Sequence, residues 1–149
     1  MDRKRFQVYL NVHLVLFKED SVLLLQRKNT GYADGWYAFS AGHVEDGEKL
    51  VSAMIREARE EIGIELEPKN IELVHMMYRQ SDRANLDVFF SCRKWQGTPK
   101  NCELHKCSEV QFFSKKALPD KCLPYVLKVL EYFDSKISFS DHGREVEHD

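Results

Sequence analysis

Apolar and polar positions follow two rhythms along this chain, one of strands and one of helices. Val8–Phe17 (VYLNVHLVLF) is rich in β-branched and aromatic residues and predicts a buried strand. Lys18-Glu19-Asp20 is a polar turn, and Val22–Leu25 predicts a second strand running out into Gln26-Arg27-Lys28. Asn29–Gly35 carries two glycines and an aspartate and predicts a loop. Trp36–Val44 is extended and leads into Glu45-Asp46-Gly47, where Asp46 is a candidate helix N-cap. Glu48–Ile62 has the helical period and stops at Gly63, a residue suited to the position just past a helix. Ile71–Tyr78 and Leu86–Lys94 predict a strand pair joined by the polar Gln80–Asn85. Gln96–Ser108 is a long polar loop, followed by a short strand at Val110–Phe113. Leu123–Phe133, with Val126, Leu127, Leu130 and Phe133 apolar and Pro124 near its start, predicts an amphipathic helix.

Strands on either side of one helix, with a second helix at the end, predict an α/β fold with a mixed sheet between helices. The elements do not alternate strictly, which argues against a plain doubly wound parallel sheet. A length of 149 residues suits one domain, placed at residues 1–137, with 138–149 expected to be a mobile polar tail. Composition adds little: 43% hydrophobic and 31% charged residues describe an ordinary globular chain. The net charge of −2 argues against a nucleic-acid polymer as partner, but leaves a nucleotide open if a metal ion supplies local positive charge. Met1–Phe6 is basic but leads into a strand, so neither a signal peptide nor a membrane span is expected. Cys92, Cys102, Cys107 and Cys122 are too few and too irregular for a disulfide framework, and a reducing, cytoplasmic setting is expected.

The helix at Glu48–Ile62 carries a conflict. At about 100° per residue, Leu50, Val51, Met54, Ile55, Ala58 and Ile62 form one apolar stripe. Glu57, Glu60 and Glu61 crowd together at its edge, with Glu61 inside it. Such carboxylates repel one another and lose solvation on partial burial. Geometry alone allows two readings. In one, a hard cation neutralises the three, since oxygen-only ligands favour Mg²⁺ or Mn²⁺. In the other, they form a solvated acidic face balanced by Arg56 and Arg59, with Arg56 and Glu60 spaced as an i,i+4 pair.

The wider spacing separates them. Gly42, five residues, Glu48, seven residues, then Arg56-Glu57-Ala58-Arg59-Glu60-Glu61-Ile62-Gly63-Ile64 resembles the Nudix box in all seven fixed identities and both apolar positions. Chance would produce seven such identities about once in 10⁸ windows at ordinary residue usage. The resemblance, to the MutT-like branch, covers Gly42–Ile64 directly and implies an α/β/α sandwich with the box as loop–helix–loop. It implies Mg²⁺ or Mn²⁺ held by Glu57, Glu60 and Glu61, with the carbonyl of Ala41 as a further ligand where Gly42 lets the backbone pass. It also implies that Arg56 orients the glutamates and that Glu48 has a supporting part. Many members of the nucleotide-cleaning branch enter the box with Pro-Gly-Gly, whereas this chain has Ser40-Ala41-Gly42.

The resemblance implies hydrolysis of a nucleoside diphosphate derivative by water attack assisted by metal. The general base is Glu61 or Glu103, the latter on the Gln96–Ser108 loop and otherwise a solvated glutamate. Arg27 is a phosphate contact or a solvated strand-end charge. Trp36 and Phe39 stack on a base or pack. Tyr78 is read as packing. Cys102, His105 and Cys107 match none of the usual paired zinc spacings. The leading reading is a (deoxy)nucleoside triphosphate cleaved to monophosphate and pyrophosphate. Dinucleoside polyphosphates, nucleotide sugars and ADP-ribose stay open, as does a non-catalytic nucleotide-binding module. The expected partner is therefore a small nucleotide, with no nucleic-acid polymer and no membrane.

Overall fold

The computed structural model describes residues 3–143. Strand β1 (Tyr9–Lys18) organises the sheet. Its far end pairs antiparallel with β2 (Ser21–Arg27), and its first half pairs antiparallel with β4 (Ser40–His43). Its other edge pairs in parallel with β6 (Ala84–Cys92). β5 (Ile71–Gln80) runs antiparallel to β6, while β3 (Tyr37–Ala38) and β7 (Cys107–Ser114) both pair with β2. The sheet is mixed, as the element order required.

Alternation along β1 sends Val12, Leu14 and Leu16 to one face and Val15 and Phe17 to the other. The first face packs on helix α1 (Leu50–Ile62) through Ala53, Met54, Ala58 and Ile62. The second packs on helix α2 (Pro124–Asp134) through Val126, Val129 and Leu130. Two cores, one on each face, give the α/β/α sandwich.

Four details differ from the sequence reading. Helix α1 begins at Leu50 with Lys49 as its N-cap, so Asp46 caps nothing. Gly47 at φ +82° turns the chain ahead of it, and Glu48 lies outside the helix. Leu127 is exposed, and Tyr125, Val126, Val129 and Leu130 make the buried face of α2 instead. Residues 138–149 are not wholly a loose tail. Phe139–His142 forms strand β8 in parallel with β5, and His75 ties it down by accepting from or donating to Ser140 Oγ at 2.7 Å. The rest of that segment, 144–149, lies outside the described residues, as do residues 1 and 2 of the basic start. Among the described residues no helix is long and apolar enough to cross a membrane, and all four cysteines are free.

Candidate active site

Helix α1 lies against β4, and this contact builds the site. Glu61, in the last turn of α1, points back at the strand. Its Oε1 accepts from Ser40 Oγ at 2.5 Å and from the Ala41 N–H at 2.9 Å. The departure from Pro-Gly-Gly therefore has a use, since a proline at position 40 would have no hydroxyl to give. Burial pushes Glu61 up to about 8, against those two hydrogen bonds and with the help of the charges of Glu57 and Glu103. Glu57 is also raised, by burial first and by Glu60 and Glu103, with Arg56 opposing.

Arg56 is the clamp. Its Nε donates to Glu48 Oε2 at 2.6 Å and its Nη2 to Glu48 Oε1 at 3.0 Å, a two-pronged pairing. Nη1 reaches Glu57 at 2.8 Å and Glu60 at 3.2 Å, and Nη2 also donates to the His43 carbonyl at 3.0 Å. Hydrogen bonding to Arg56 holds Glu48 down to about 2. Glu48 thus pairs with the arginine that also contacts Glu57 and Glu60.

The loop after β6 brings Glu103 to the same place. Its amides bond to the end of α1, Lys100 N–H to the Ile62 carbonyl at 3.0 Å and Cys102 N–H to the Glu61 carbonyl at 3.1 Å. Glu57, Glu60, Glu61 and Glu103 then line one cavity of about 750 Å³ together with Arg27, Phe39, Ala41 and Lys106. Glu103 sits at the site and is not a distant loop charge.

The residues fit a hard cation by chemistry: oxygen donors only, with burial and then neighbouring carboxylate charge disfavouring the ionised forms of Glu57 and Glu61. Among the described residues, no three His, Cys, Asp or Glu side chains are so arranged that they could hold a metal ion as they stand. Arg56 bonds to Glu57, and Ser40 with the Ala41 N–H bonds to Glu61. Gly42 is the tightest part of the frame. A Cβ there would stand 2.0 Å from the Glu57 carboxyl carbon. Its need for glycine comes from that closeness rather than from a left-handed backbone. Gly42→Ala is expected to displace the Glu57 carboxylate and lower kcat by about 10²-fold, as an ångström-scale misplacement does, with little change in melting temperature. A variant with unchanged kcat would mean that Glu57 can move freely without cost.

The remaining sequence-based candidates fall as follows. Arg27 lines the cavity, but its guanidinium is engaged with its own loop, donating to the Tyr32 carbonyl at 2.8 Å and Thr30 Oγ1 at 3.1 Å. Phe39 is buried, edge-on to Phe89, and serves as cavity wall and core. Trp36 packs on the α2-side core and is not part of this wall, so it is not placed to stack there. Cys102 is exposed and Cys107 buried, its thiol donating to the Glu109 carbonyl, and they form no zinc site with His105.

Sequence reasoning missed a buried polar cluster beside the cavity. Asp87 on β6, fully buried, accepts on Oδ1 from Asn11 Nδ2 and His13 Nε2, each at 2.9 Å, and on Oδ2 from Arg79 Nε at 2.9 Å. The signal available was two polar residues, Asn11 and His13, at strand period inside the otherwise apolar β1.

Comparison with known proteins agrees with this geometry. A model of the NUDIX domain matches residues 9–133. The chain is similar to the ADP-ribose pyrophosphatase of Methanocaldococcus jannaschii, 27% identical over 136 residues, covering 88% of this chain and 79% of that one. It is similar to the 8-oxo-dGTP diphosphatase of Proteus vulgaris, 33% identical over 96 residues, covering 64% of this chain and 83% of that one. The solved MutT NUDIX hydrolase of Burkholderia pseudomallei shares the fold, with a TM-score of 0.78 at 21% identity, covering 84% of this chain and 97% of that one.

Proposed function

Since this chain belongs to the NUDIX family of hydrolases, we propose that it cleaves a (deoxy)nucleoside triphosphate to nucleoside monophosphate and pyrophosphate. The observation that carries this reading is the convergence of Glu57, Glu60, Glu61 and Glu103 on one cavity under the Arg56 clamp. None of the box carboxylates is missing, which weighs against a module that only binds.

Glu57, Glu60 and Glu61, with the Ala41 carbonyl, would hold Mg²⁺ or Mn²⁺. Bound there, such an ion would supply charge neutralisation for polyphosphate oxygens and would lower the pKa of water so that it gives up a proton more readily. Arg56 keeps the carboxylates aimed while charge shifts around them. Arg27 and Lys106 at the cavity wall supply positive charge for phosphate oxygens. Glu61 or Glu103 takes the proton of the attacking water. The water oxygen bonds to phosphorus, the anhydride P–O bond breaks, and its electron pair leaves with the pyrophosphate oxygen. Phe39 and Ala38 close the inner wall with apolar surface and limit stray water.

A second reading, cleavage of ADP-ribose, draws on the similarity to the Methanocaldococcus enzyme. A panel of normal and oxidised nucleoside triphosphates, ADP-ribose, a dinucleoside tetraphosphate and a nucleotide sugar separates the two. Triphosphates are expected to lead in kcat/KM by about tenfold, with all hydrolysis abolished in excess EDTA and restored by Mg²⁺ or Mn²⁺. A lead by ADP-ribose would replace the substrate, and full turnover in EDTA would remove the metal from the mechanism.

A further inference from the structure

We infer that the recess beneath the β5–β6 turn binds a phosphate ester of the substrate, one that lies outside the phosphoanhydride chain being cut. The inference rests on the nucleotide reading given above and adds a second anionic group, on the sugar, to the nucleotide that is taken. The turn between the two strands is Ser81-Asp82-Arg83. Its recess, of about 230 Å³, is walled by Arg27, Arg79 and Arg83. A neighbouring cavity of about 220 Å³ shares those three arginines with it, and shares Arg27, Ala41 and Gly42 with the acidic cavity. Arg27 thus borders all three, and a nucleotide with its anhydride at the carboxylates has room to extend along them to the recess.

Arg79 supplies the observation that points to a ligand. It is nine-tenths buried, and Asp87 takes only its Nε, at 2.9 Å. Among the described residues no acceptor meets Nη1 or Nη2, yet neither is an atom both unpartnered and sealed from solvent. They therefore open into the cavities that Arg79 lines. The Tyr125 ring, 5.2 Å from the guanidinium carbon, backs the group. Neutralising Asp87 needs no more than the Nε contact. Buried polar groups are nearly always paired, so two spare donors on such a side chain call for an acceptor from outside the chain.

Arg83 faces the same recess from the turn. The Ser81 N–H donates to its carbonyl at 2.9 Å and Asn85 Nδ2 does so at 3.2 Å, which fixes its backbone. Its guanidinium lies 4.0 Å over the Tyr9 ring and has no ion-pair partner among the described residues. Arg27 donates from Nε and Nη2 to its own loop and keeps Nη1. In the wall, three guanidiniums face one carboxylate, that of Asp82, while Asp87 offsets part of the Arg79 charge from behind. The unpaired atoms are donors converging from three side chains, which suits a group that only accepts. A phosphate ester offers three acceptor oxygens and nearly two negative charges, whereas base edges mix donors with acceptors.

The test has a binding arm and a kinetic arm, each in the wild type, Arg83→Gln and Arg93→Gln. Arg83 is the probe because Arg79 also neutralises Asp87, and Arg93 removes the same charge from the opposite end of β6. Calorimetry in EDTA compares AMP, adenosine 2′,5′-bisphosphate, adenosine 3′,5′-bisphosphate and inorganic phosphate. One bisphosphate is expected to bind wild type at least about tenfold tighter than AMP, to lose that lead in Arg83→Gln and to keep it in Arg93→Gln. Equal affinities for AMP and both bisphosphates overturn the inference. So does an equal loss in the two variants, which marks net charge alone. Inorganic phosphate binding as tightly as the better bisphosphate would make the recess a site for free phosphate and also overturns it. The kinetic arm compares ATP with ATP phosphorylated at the same sugar hydroxyl. Its kcat/KM should be about tenfold higher for the phosphorylated form in the wild type and Arg93→Gln, and fall toward parity in Arg83→Gln. Parity in the wild type, with both triphosphates cut, overturns the inference. If neither is cut, the proposed reaction is wrong and the binding arm decides on the recess by itself.

Discussion

Replacing Glu61 by glutamine is expected to lower kcat by about 10²–10⁴-fold, the range seen when a positioned acid–base group is lost, while the domain stays folded. Glu61 is the most buried of the box carboxylates, and burial is what pushes it up to about 8. The amide keeps the shape and can still accept from Ser40 Oγ and the Ala41 N–H, so the α1–β4 contact survives. What goes is the negative charge available to a cation or to a water proton. Stability should move the other way. With its folded pKa above the unfolded value, Glu61 binds its proton more tightly in the folded state. The stability this contributes is complete below the ordinary carboxylate range and is lost as pH rises toward about 8. Glutamine removes that loss, so in EDTA the variant should melt above the wild type near pH 8 and beyond. A kcat near wild type would place both base and ligand elsewhere.

How much of this was legible beforehand follows from distance along the chain. The box could be read because its chemistry lies within one helix and the loop before it, where spacing fixes geometry. Arg56 to Glu57 and Glu60, and Glu48 just ahead, are all local pairs. Most strands were legible from their apolar runs, and their number and order excluded strict α/β alternation. The start of α1 was not, because Gly47 favoured a turn that a capping pattern at Asp46 hid. Strand β8 was not, because a short edge strand carries polar residues and owes its place to β5 rather than to its own sequence. Ser40 read as a departure and proved to be a partner of Glu61. The buried polar cluster around Asp87 was the largest omission. His13 and Asp87 are 74 residues apart and meet only because β1 and β6 pair in parallel, a register that no local pattern announces.

That same cluster gives the largest expected effect on stability. Asp87→Asn should cost about 3 kcal/mol, near the lower end for breaking a buried ion pair, and lower the melting temperature by roughly 10 °C. Burial by itself would raise the Asp87 carboxyl, yet the charges and hydrogen bonds of His13 and Arg79 outweigh it and hold the group well below the usual carboxylate range. Asparagine preserves the volume but leaves the Arg79 guanidinium, nine-tenths buried, without a counter-charge. The sign of the pH dependence follows from the depressed pKa. The stability due to Asp87 is complete above the ordinary aspartate value and is lost as pH falls through the folded one. The gap between wild type and variant should therefore be constant near neutrality and narrow below about pH 4. Adding Arg79→Met to Asp87→Asn removes the stranded charge and should recover part of the loss, which assigns the cost to the charge rather than to the packing. Urea unfolding of the wild type, Asp87→Asn, Arg79→Met and the double variant at neutral and acid pH measures each step. If Asp87→Asn melts within about 2 °C of the wild type, solvent already compensates Arg79 and the cluster is not a buried ion network.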